Sequence, residues 1–370
     1  MTPTKEKTHP PKPQVEIAEE KKISPDFVRL SAASAMALRL ASGRFARDFE
    51  FGGINLLLNY NNGCFSDCAY CGLARTRPGT YEDKSFIRVD WPLFETDRII
   101  DRLAKYEHKL TRLCISMVTH GSAYRDTAEI TEKIAKKVKT PLSLLVAPPT
   151  LNRDRLKLLK ELGTDMIGIG LDAVSEKVFF DTRTNVPNGG LKWEKYWDII
   201  MASREIYGPW KVNAHTVVGL GETDKDLIDI FYLLKSKEIF AYLFCFNPEP
   251  DSRMGDTPKS SIKRWRRIQL IKHLIDHHEL ESRYIQFDEA GNIIKLDVSA
   301  ARLHKVIQHL DHGIPFTTDG CPGPKGEPGC TRPYGSYRPT EAYRDFPFTP
   351  ESDDLSQIKQ ELALEELINR

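Results

Sequence analysis

Asn62-Gly63-Cys64-Phe65-Ser66-Asp67-Cys68-Ala69-Tyr70-Cys71-Gly72 follows directly on an apolar run, Ile54 to Tyr60, that reads as a strand. Three cysteines on one tight loop can supply three thiolates to a 4Fe-4S cluster and leave the fourth iron open for a small ligand. A Cys-x2-Cys pair also begins many zinc sites, which normally need four ligands with a second pair a short way downstream. No such pair follows Cys71. A disulfide needs an oxidising compartment, and the first residues, Met1 to Lys22, are charged and Pro-rich rather than an apolar signal segment. The loop is therefore read as an iron-sulfur site at the end of a strand.

Downstream of the loop, short apolar runs alternate with helical patterns at an interval of roughly thirty residues, the rhythm of βα units and a parallel sheet. The predicted strands are Ile54 to Tyr60, Arg112 to Val118, Leu142 to Ala147, Met166 to Leu171, Lys211 to Val218 and Ala241 to Phe246. Between and after them, Asp226 to Lys237 carries Leu227, Ile230, Phe231 and Leu234, the spacing of one buried helix face, and Ser260 to His278 repeats the theme. Strand-helix repeats of this kind predict an α/β fold, a partial or closed parallel barrel. Such barrels gather their chemistry at the C-terminal ends of the strands, where the cysteine loop lies.

The flanks read differently. Met1 to about Ile23 has too few large apolar side chains to offset the entropy of ordering it, and is read as a flexible tail. From Ser24, the positions Val28, Leu30, Ala33, Met36, Leu38 and Leu40 are read as an amphipathic helix capping a barrel domain of residues 24–298. After Ser299 a helix, Ala300 to Leu310, leads into Gly313 to Phe348, which is dense in Gly and Pro and holds Cys321 and Cys330. With little apolar content of its own, the Cys/Gly/Pro-rich C-terminal extension of residues 299–350 must be pinned to the barrel. Residues 351–370 read as an acidic amphipathic helix.

The 370 residues carry 53 basic and 52 acidic side chains, a net charge of +1. That balance gives no general attraction to nucleic acid or to an anionic membrane. No run approaches the roughly 18 consecutive apolar residues of a membrane span. With seven cysteines, a soluble cytoplasmic protein in a reducing setting is expected.

The Cys-x3-Cys-x2-Cys spacing, with an aromatic residue, Tyr70, before the third cysteine, resembles the signature of the radical S-adenosylmethionine (radical SAM) superfamily. The resemblance implies that Cys64, Cys68 and Cys71 hold a 4Fe-4S cluster inside a barrel of the radical SAM type. It also implies that S-adenosylmethionine chelates the open iron through its amino and carboxylate groups and is split to a 5'-deoxyadenosyl radical. Thr119-His120-Gly121-Ser122, after the second predicted strand, stands in place of the family motif near the methionine amino group, without its Gly-Gly-Glu. Asp172 and Arg183 resemble the acidic residue and arginine that bind the amino and carboxylate groups in biotin-synthase-like members; an arginine fork suits a carboxylate. A helix N-cap and a solvated charge are the plainer readings of the two. Gly219-Leu220-Gly221-Glu222 resembles the run that lines the adenosyl pocket, where glycine lets backbone amides approach a flat ring. Glu222 also reads as a helix cap.

Cys321 and Cys330 sit among Gly and Pro in a stretch that runs on to Arg332-Pro333-Tyr334-Gly335-Ser336-Tyr337-Arg338. From the cysteine loop through this tail, the chain resembles the two-protein lipoyl synthases of archaea and some bacteria. The likeness to biotin synthase is one of fold and cofactor. The resemblance implies a second, auxiliary 4Fe-4S cluster at the barrel mouth, held by Cys321, Cys330 and Cys114, with Cys245 as the alternative to Cys114 and Ser336 as a noncysteine ligand. It implies sulfur insertion into an octanoyl chain carried by a lipoyl carrier protein, with a second radical SAM protein as partner and a ferredoxin or flavodoxin as electron donor. A radical SAM mutase or maturase of the methylornithine synthase kind, with zinc or paired thiols in the tail, is the alternative. A non-enzymatic iron-sulfur carrier is a third reading.

Overall fold

Each of the predicted strands is present in the computed structural model, which describes residues 22–368 apart from 82, 87, 88, 189, 311 and 339. The strands are β1 (Phe27–Leu30), β2 (Gly53–Leu58), β3 (Leu93–Glu95), β4 (Arg112–Ser116), β5 (Leu142–Val146), β6 (Thr164–Asp172), β7 (Val212–Val218) and β8 (Phe240–Cys245). They form one 8-stranded sheet in the order β3-β1-β2-β4-β5-β6-β7-β8. From β2 through β8 every pairing is parallel. Among the described residues β8 pairs only with β7, so the sheet is an open, partial barrel.

Period-two alternation along the strands sorts residues onto the two faces of this sheet. Leu113, Ile115, Leu144, Ile167, Ile169 and Ala214 are fully buried and point outward. They meet the helices Thr96–Tyr106, Ala123–Lys137, Arg153–Glu161, Trp193–Tyr207 and Asp224–Ser236. Each such Leu or Ile stabilises the layer by about 1.5–3 kcal/mol. The intervening residues, among them Cys114, Ser143, His215 and Phe244, face inward and border a cavity.

The N-terminal segment departs from expectation. Val28 and Leu30 lie on β1, which pairs antiparallel with both β2 and β3, and the helix is confined to Ala32–Ala37. The cause is Arg29. Its buried guanidinium donates to the carbonyls of Trp91 (2.8 Å), Tyr81 (3.1 Å) and Lys84 (2.9 Å), contacts that no helical periodicity signals. The tail predicted over Met1 to Ile23 lies outside the described residues up to position 21.

Within the C-terminal extension the turn that carries Cys321 and Cys330 docks at the N-terminal end of the strands, opposite the mouth where the sequence placed it, while Ser336 and Arg344 reach Cys245 at the far end of β8. Cys330 N donates to Cys321 O at 3.0 Å and Gly323 N to Glu327 O at 2.7 Å, closing a narrow turn. Thr111 Oγ1 donates to Gly329 O (2.9 Å) and Arg112 Nε to Pro322 O (2.7 Å), which ties that turn to the start of β4. A Cβ on Gly53, the first residue of β2, would lie 2.7 Å from Gly329 O, so glycine permits this close approach. Farther along, Arg266 donates to the carbonyls of Tyr343 (2.6 Å) and Arg344 (2.5 Å), and Trp265 Nε1 to Arg344 O (2.7 Å). Predicted as one helix, residues Ala300–Leu310 form an α-helix to Lys305 and a π-turn after it. The chain ends in Ser352–Leu362 and Leu364–Ile368, whose Ile358, Leu362 and Leu367 are buried. No helix among the described residues is long and apolar enough to cross a membrane.

Candidate active site

The cysteine loop hangs from two strand tips. Phe65 N donates to Thr119 O (2.7 Å) beyond β4, and Ala69 N to Thr182 O (2.8 Å) beyond β6. Asp67 is buried and accepts from Thr76 N (3.0 Å) and Thr76 Oγ1 (2.7 Å), which pins the far side. Ser66 N donates to Cys64 Sγ and Leu73 N to Cys71 Sγ, both at 3.4 Å, while the charge of Arg183 favours a thiolate at Cys68. Donors aimed at sulfur suit thiolates. Burial pushes the Cys68 thiol up and the Cys71 thiol well up, so it is a bound metal that would hold them ionised. Among the described residues no group of three or more His, Cys, Asp or Glu side chains is set to hold a single metal ion. Cys64, Cys68 and Cys71 instead border one space, as thiolates on separate irons of a cluster do.

Asp172 and Arg183 come together beside this loop. Tyr70 donates its hydroxyl to Asp172 Oδ2 at 2.5 Å, and Arg183 Nη1 lies 3.6 Å from the same carboxylate. Neither plainer reading holds: Ser175 caps the next helix, and Arg183 is buried. Arg183 donates to the carbonyls of Gly170 (2.5 Å) and Leu171 (2.9 Å) and to the Tyr196 hydroxyl (2.8 Å). Its Nε is buried without a partner among the described residues, a donor left over at the cavity wall.

Other predicted contacts fall elsewhere. Thr119 lines the cavity, but His120, Gly121 and Ser122 do not. His120 stacks on Tyr60 at 3.8 Å and bonds Asn62 Oδ1 at 3.1 Å, bracing the cysteine loop from outside. Gly219, Gly221 and Glu222 also lie off the cavity. The buried Glu222 carboxylate accepts from Gly219 N and Leu220 N, each at 2.8 Å, and pairs with Arg264 at 2.9 Å, so it closes its own turn. Thr223 and Asp226 form the helix cap. Instead Phe246, Asn247 and Glu249, just past β8, line the cavity. Their position at a strand's C-terminal end was the available signal. Glu249 accepts from Ser85 Oγ at 2.8 Å, and burial pushes its carboxyl up to about 7.

A second thiol group occupies the lower end of the same cavity. Cys114 on β4 is joined there by Cys321 and Cys330, and each is electrostatically coupled to another of the three. Burial pushes Cys114 up to about 12 and Cys321 up to about 11. Asn213 Nδ2 donates to Cys321 Sγ at 3.5 Å. Cys245 borders the cavity but stands apart: its sulfur accepts from Arg344 Nη1 at 3.2 Å. Ser336 is fully buried away from the cavity, with its Oγ accepting from Cys245 N at 3.2 Å and bonded to Asp345. It is therefore not among the second thiol group.

Between the two groups the cavity, about 290 Å³, is walled by apolar Leu57, Leu145, Val217 and Phe244. Polar side chains interrupt that wall, among them Ser116, the register partner of both Leu57 and Leu145. Arg332 stacks over Phe244 at 3.9 Å, and His215 is held neutral, pushed down to about 3 by burial and by Arg332.

An α/β partial barrel carrying such a cysteine loop at its strand tips is the architecture of a radical SAM domain, and residues 58–234 match the Radical SAM superfamily. That match spans a little under half of the chain and includes the cysteine loop. Biotin synthase from Persephonella marina is 28% identical over 185 residues, covering 47% of this chain and 48% of that protein. Biotin synthase from Aquifex aeolicus is 21% identical over 187 residues, covering 50% and 52%. The chain spans about half the length of these curated relatives. Among solved structures, methylornithine synthase is 10% identical with a TM-score of 0.47, covering 91% of this chain and 87% of that one.

Proposed function

We propose that this protein is a radical SAM enzyme that inserts sulfur into an unactivated carbon of an acyl chain, as a component of a lipoyl synthase. The observation that carries the reading is the single cavity with Cys64, Cys68 and Cys71 at one end, Cys114, Cys321 and Cys330 at the other, and an apolar middle. When bound, the upper cluster with S-adenosylmethionine supplies a hydrogen-abstracting radical and the lower cluster supplies sulfide. Arg183 and Asp172 are suited to grip the carboxylate and amino group of the methionine moiety, and the unpartnered Arg183 Nε adds a donor. Leu57, Leu145, Val217 and Phe244 present an aliphatic chain with a dry wall and exclude water from the reacting carbon.

The substrate in this reading is an octanoyl chain on a lipoyl carrier protein, with a second radical SAM protein completing the reaction and a ferredoxin or flavodoxin reducing it in the cytoplasm. The test is anaerobic reconstitution with iron and sulfide, followed by reaction with octanoylated carrier protein and the partner. The expected results are iron for two clusters, 5'-deoxyadenosine and a thiolated octanoyl product. Zinc in the tail with iron for one cluster, and no thiolated product, would reject it in favour of a mutase or maturase.

A further inference from the structure

We infer that Arg332 anchors the substrate: its guanidinium takes the acyl oxygen, the carbonyl or carboxylate at the head of the chain, and so sets which carbon stands between the two thiol groups. This rests on the reading that the apolar middle of the cavity receives an acyl chain. The segment that carries Arg332 is laid along β8, the last strand of the open sheet. Arg332 Nη2 donates to Leu243 O at 3.4 Å, Ser336 Oγ accepts from Cys245 N at 3.2 Å, and Pro333, Tyr334 and Gly335 between them line the cavity. Two of these residues hold a left-handed backbone, Arg332 at φ 28 and Tyr334 at φ 68. A residue with a Cβ is strained there, and such strain gathers where a binding group has to be aimed.

Arg332 is aimed into the cavity. Its guanidinium carbon lies 3.9 Å from the centre of the Phe244 ring, which faces the same space. A guanidinium offers five N–H donors, and the side chain's bond to Leu243 O is long. Nε is buried with no partner, and among the described residues no carboxylate forms an ion pair with this side chain. His215, whose ring is 4.7 Å from that of Phe244, is neutral and brings no opposite charge. Asp345 feels the charge of Arg332, but its carboxylate accepts from Gln269 Nε2 at 3.0 Å. A charged fork short of acceptors beside an apolar wall is unfavourable, and what relieves it is an oxygen with free lone pairs carried in on an otherwise apolar molecule. An acyl head group is such an oxygen. Leu57, Leu145 and Val217 then take the chain behind it. The oxygen has two sources, the amide carbonyl of a carrier-bound chain and the carboxylate of a free fatty acid, and the fork suits either.

The experiment uses the reconstituted full chain with S-adenosylmethionine, kept oxidised so that no turnover occurs. Binding of radiolabelled octanoate, and of a short peptide carrying an octanoylated lysine, is measured by equilibrium dialysis for the wild type, Arg332→Met and Arg332→Lys. Iron content and the visible spectrum are recorded beside it. Arg332→Met should bind the preferred molecule at least ~10-fold more weakly with iron and spectrum unchanged, and Arg332→Lys, which keeps the charge without the fork, should fall between. Where Arg332→Met loads iron poorly, Arg332→Lys answers the question. Preference for the peptide supports the carrier-bound substrate, whereas preference for octanoate supports the role of Arg332 and rejects the carrier. Wild-type affinity in both variants overturns the assignment, and an altered spectrum alongside it places the charge of Arg332 in service of the lower iron site instead. A wild type that takes up neither molecule rejects the acyl-substrate reading and this inference with it.

Discussion

Tyr70 and Asp172, separated by 102 residues, are joined by a hydroxyl-to-carboxylate hydrogen bond of 2.5 Å that ties the cysteine loop to the tip of β6. Asp172 holds a left-handed backbone, φ 61, and its carboxylate is shared with Arg183 at 3.6 Å. The aromatic residue before the third cysteine is therefore a strut as well as a packing element. Charge-assisted bonds of this kind contribute about 1.5–3 kcal/mol. Tyr70→Phe should retain its cluster iron but bind S-adenosylmethionine at least ~10-fold more weakly by equilibrium dialysis. Unchanged affinity would show that the strut does not position Asp172.

Arg183→Lys keeps the charge but not the fork. A lysine cannot serve the Gly170 and Leu171 carbonyls and the Tyr196 hydroxyl from one ammonium in the same geometry. The variant should lose about 3 kcal/mol of stability in denaturant titration, the scale of a broken buried ion pair, and form little 5'-deoxyadenosine. A variant as stable as the wild type contradicts this.

Filling the apolar middle should uncouple the two ends. Leu145→Trp puts an indole between the thiol groups, so 5'-deoxyadenosine formation should continue while thiolated product falls at least ~10-fold, a cost of about 1.4 kcal/mol or more. Parallel loss of both products would mean that Leu145 supports the upper site instead.

Arg112 anchors the tail turn through Pro322 O at 2.7 Å and pairs with Asp165 at 2.5 Å. Arg112→Gln should loosen residues 313–348, seen as faster limited proteolysis in that segment and lower iron uptake by the lower site. Wild-type proteolysis would place the anchoring in the aromatic contacts of Tyr337, Tyr343, Phe346 and Phe348.

Glu249 predicts a pH dependence. Its carboxyl, pushed up to about 7 by burial, keeps in the folded state a proton that the unfolded chain releases near pH ~4.3. The stability linked to that proton is full below ~4.3 and is lost as pH rises through about 7. Glu249→Gln should therefore gain on the wild type from pH 5 to pH 8, by up to about 3 kcal/mol at ~1.36 kcal/mol per unit. Chemical denaturation at each pH measures it, and a difference that stays flat would refute the prediction.

How much of this was legible follows the range of each signal. The strands of the parallel sheet show in period-two and apolar runs, because a strand between a helix layer and a barrel interior needs an apolar face over a few consecutive residues. β1 was read as helix because four residues are too few for a period and its partners are remote. Glu222 looked like a cofactor contact, and only the fold shows its carboxylate spent on Gly219, Leu220 and Arg264. Ser336 sat beside a suggestive Gly-Ser-Tyr-Arg run, yet the fold turns it toward Cys245 and Asp345.

By itself the order of residues determined the triad Cys64, Cys68, Cys71 and the strand that presents it, since both lie within a few residues of one another and local sterics suffice. Tertiary structure alone decided that Cys321 and Cys330, expected beside Cys114 at the barrel mouth, enter from the opposite end of the strands, and that Cys245 stands apart from them. Those partners are far apart in the chain, and which of them meet depends on strand register and on where a buried guanidinium such as that of Arg112 finds its carbonyl.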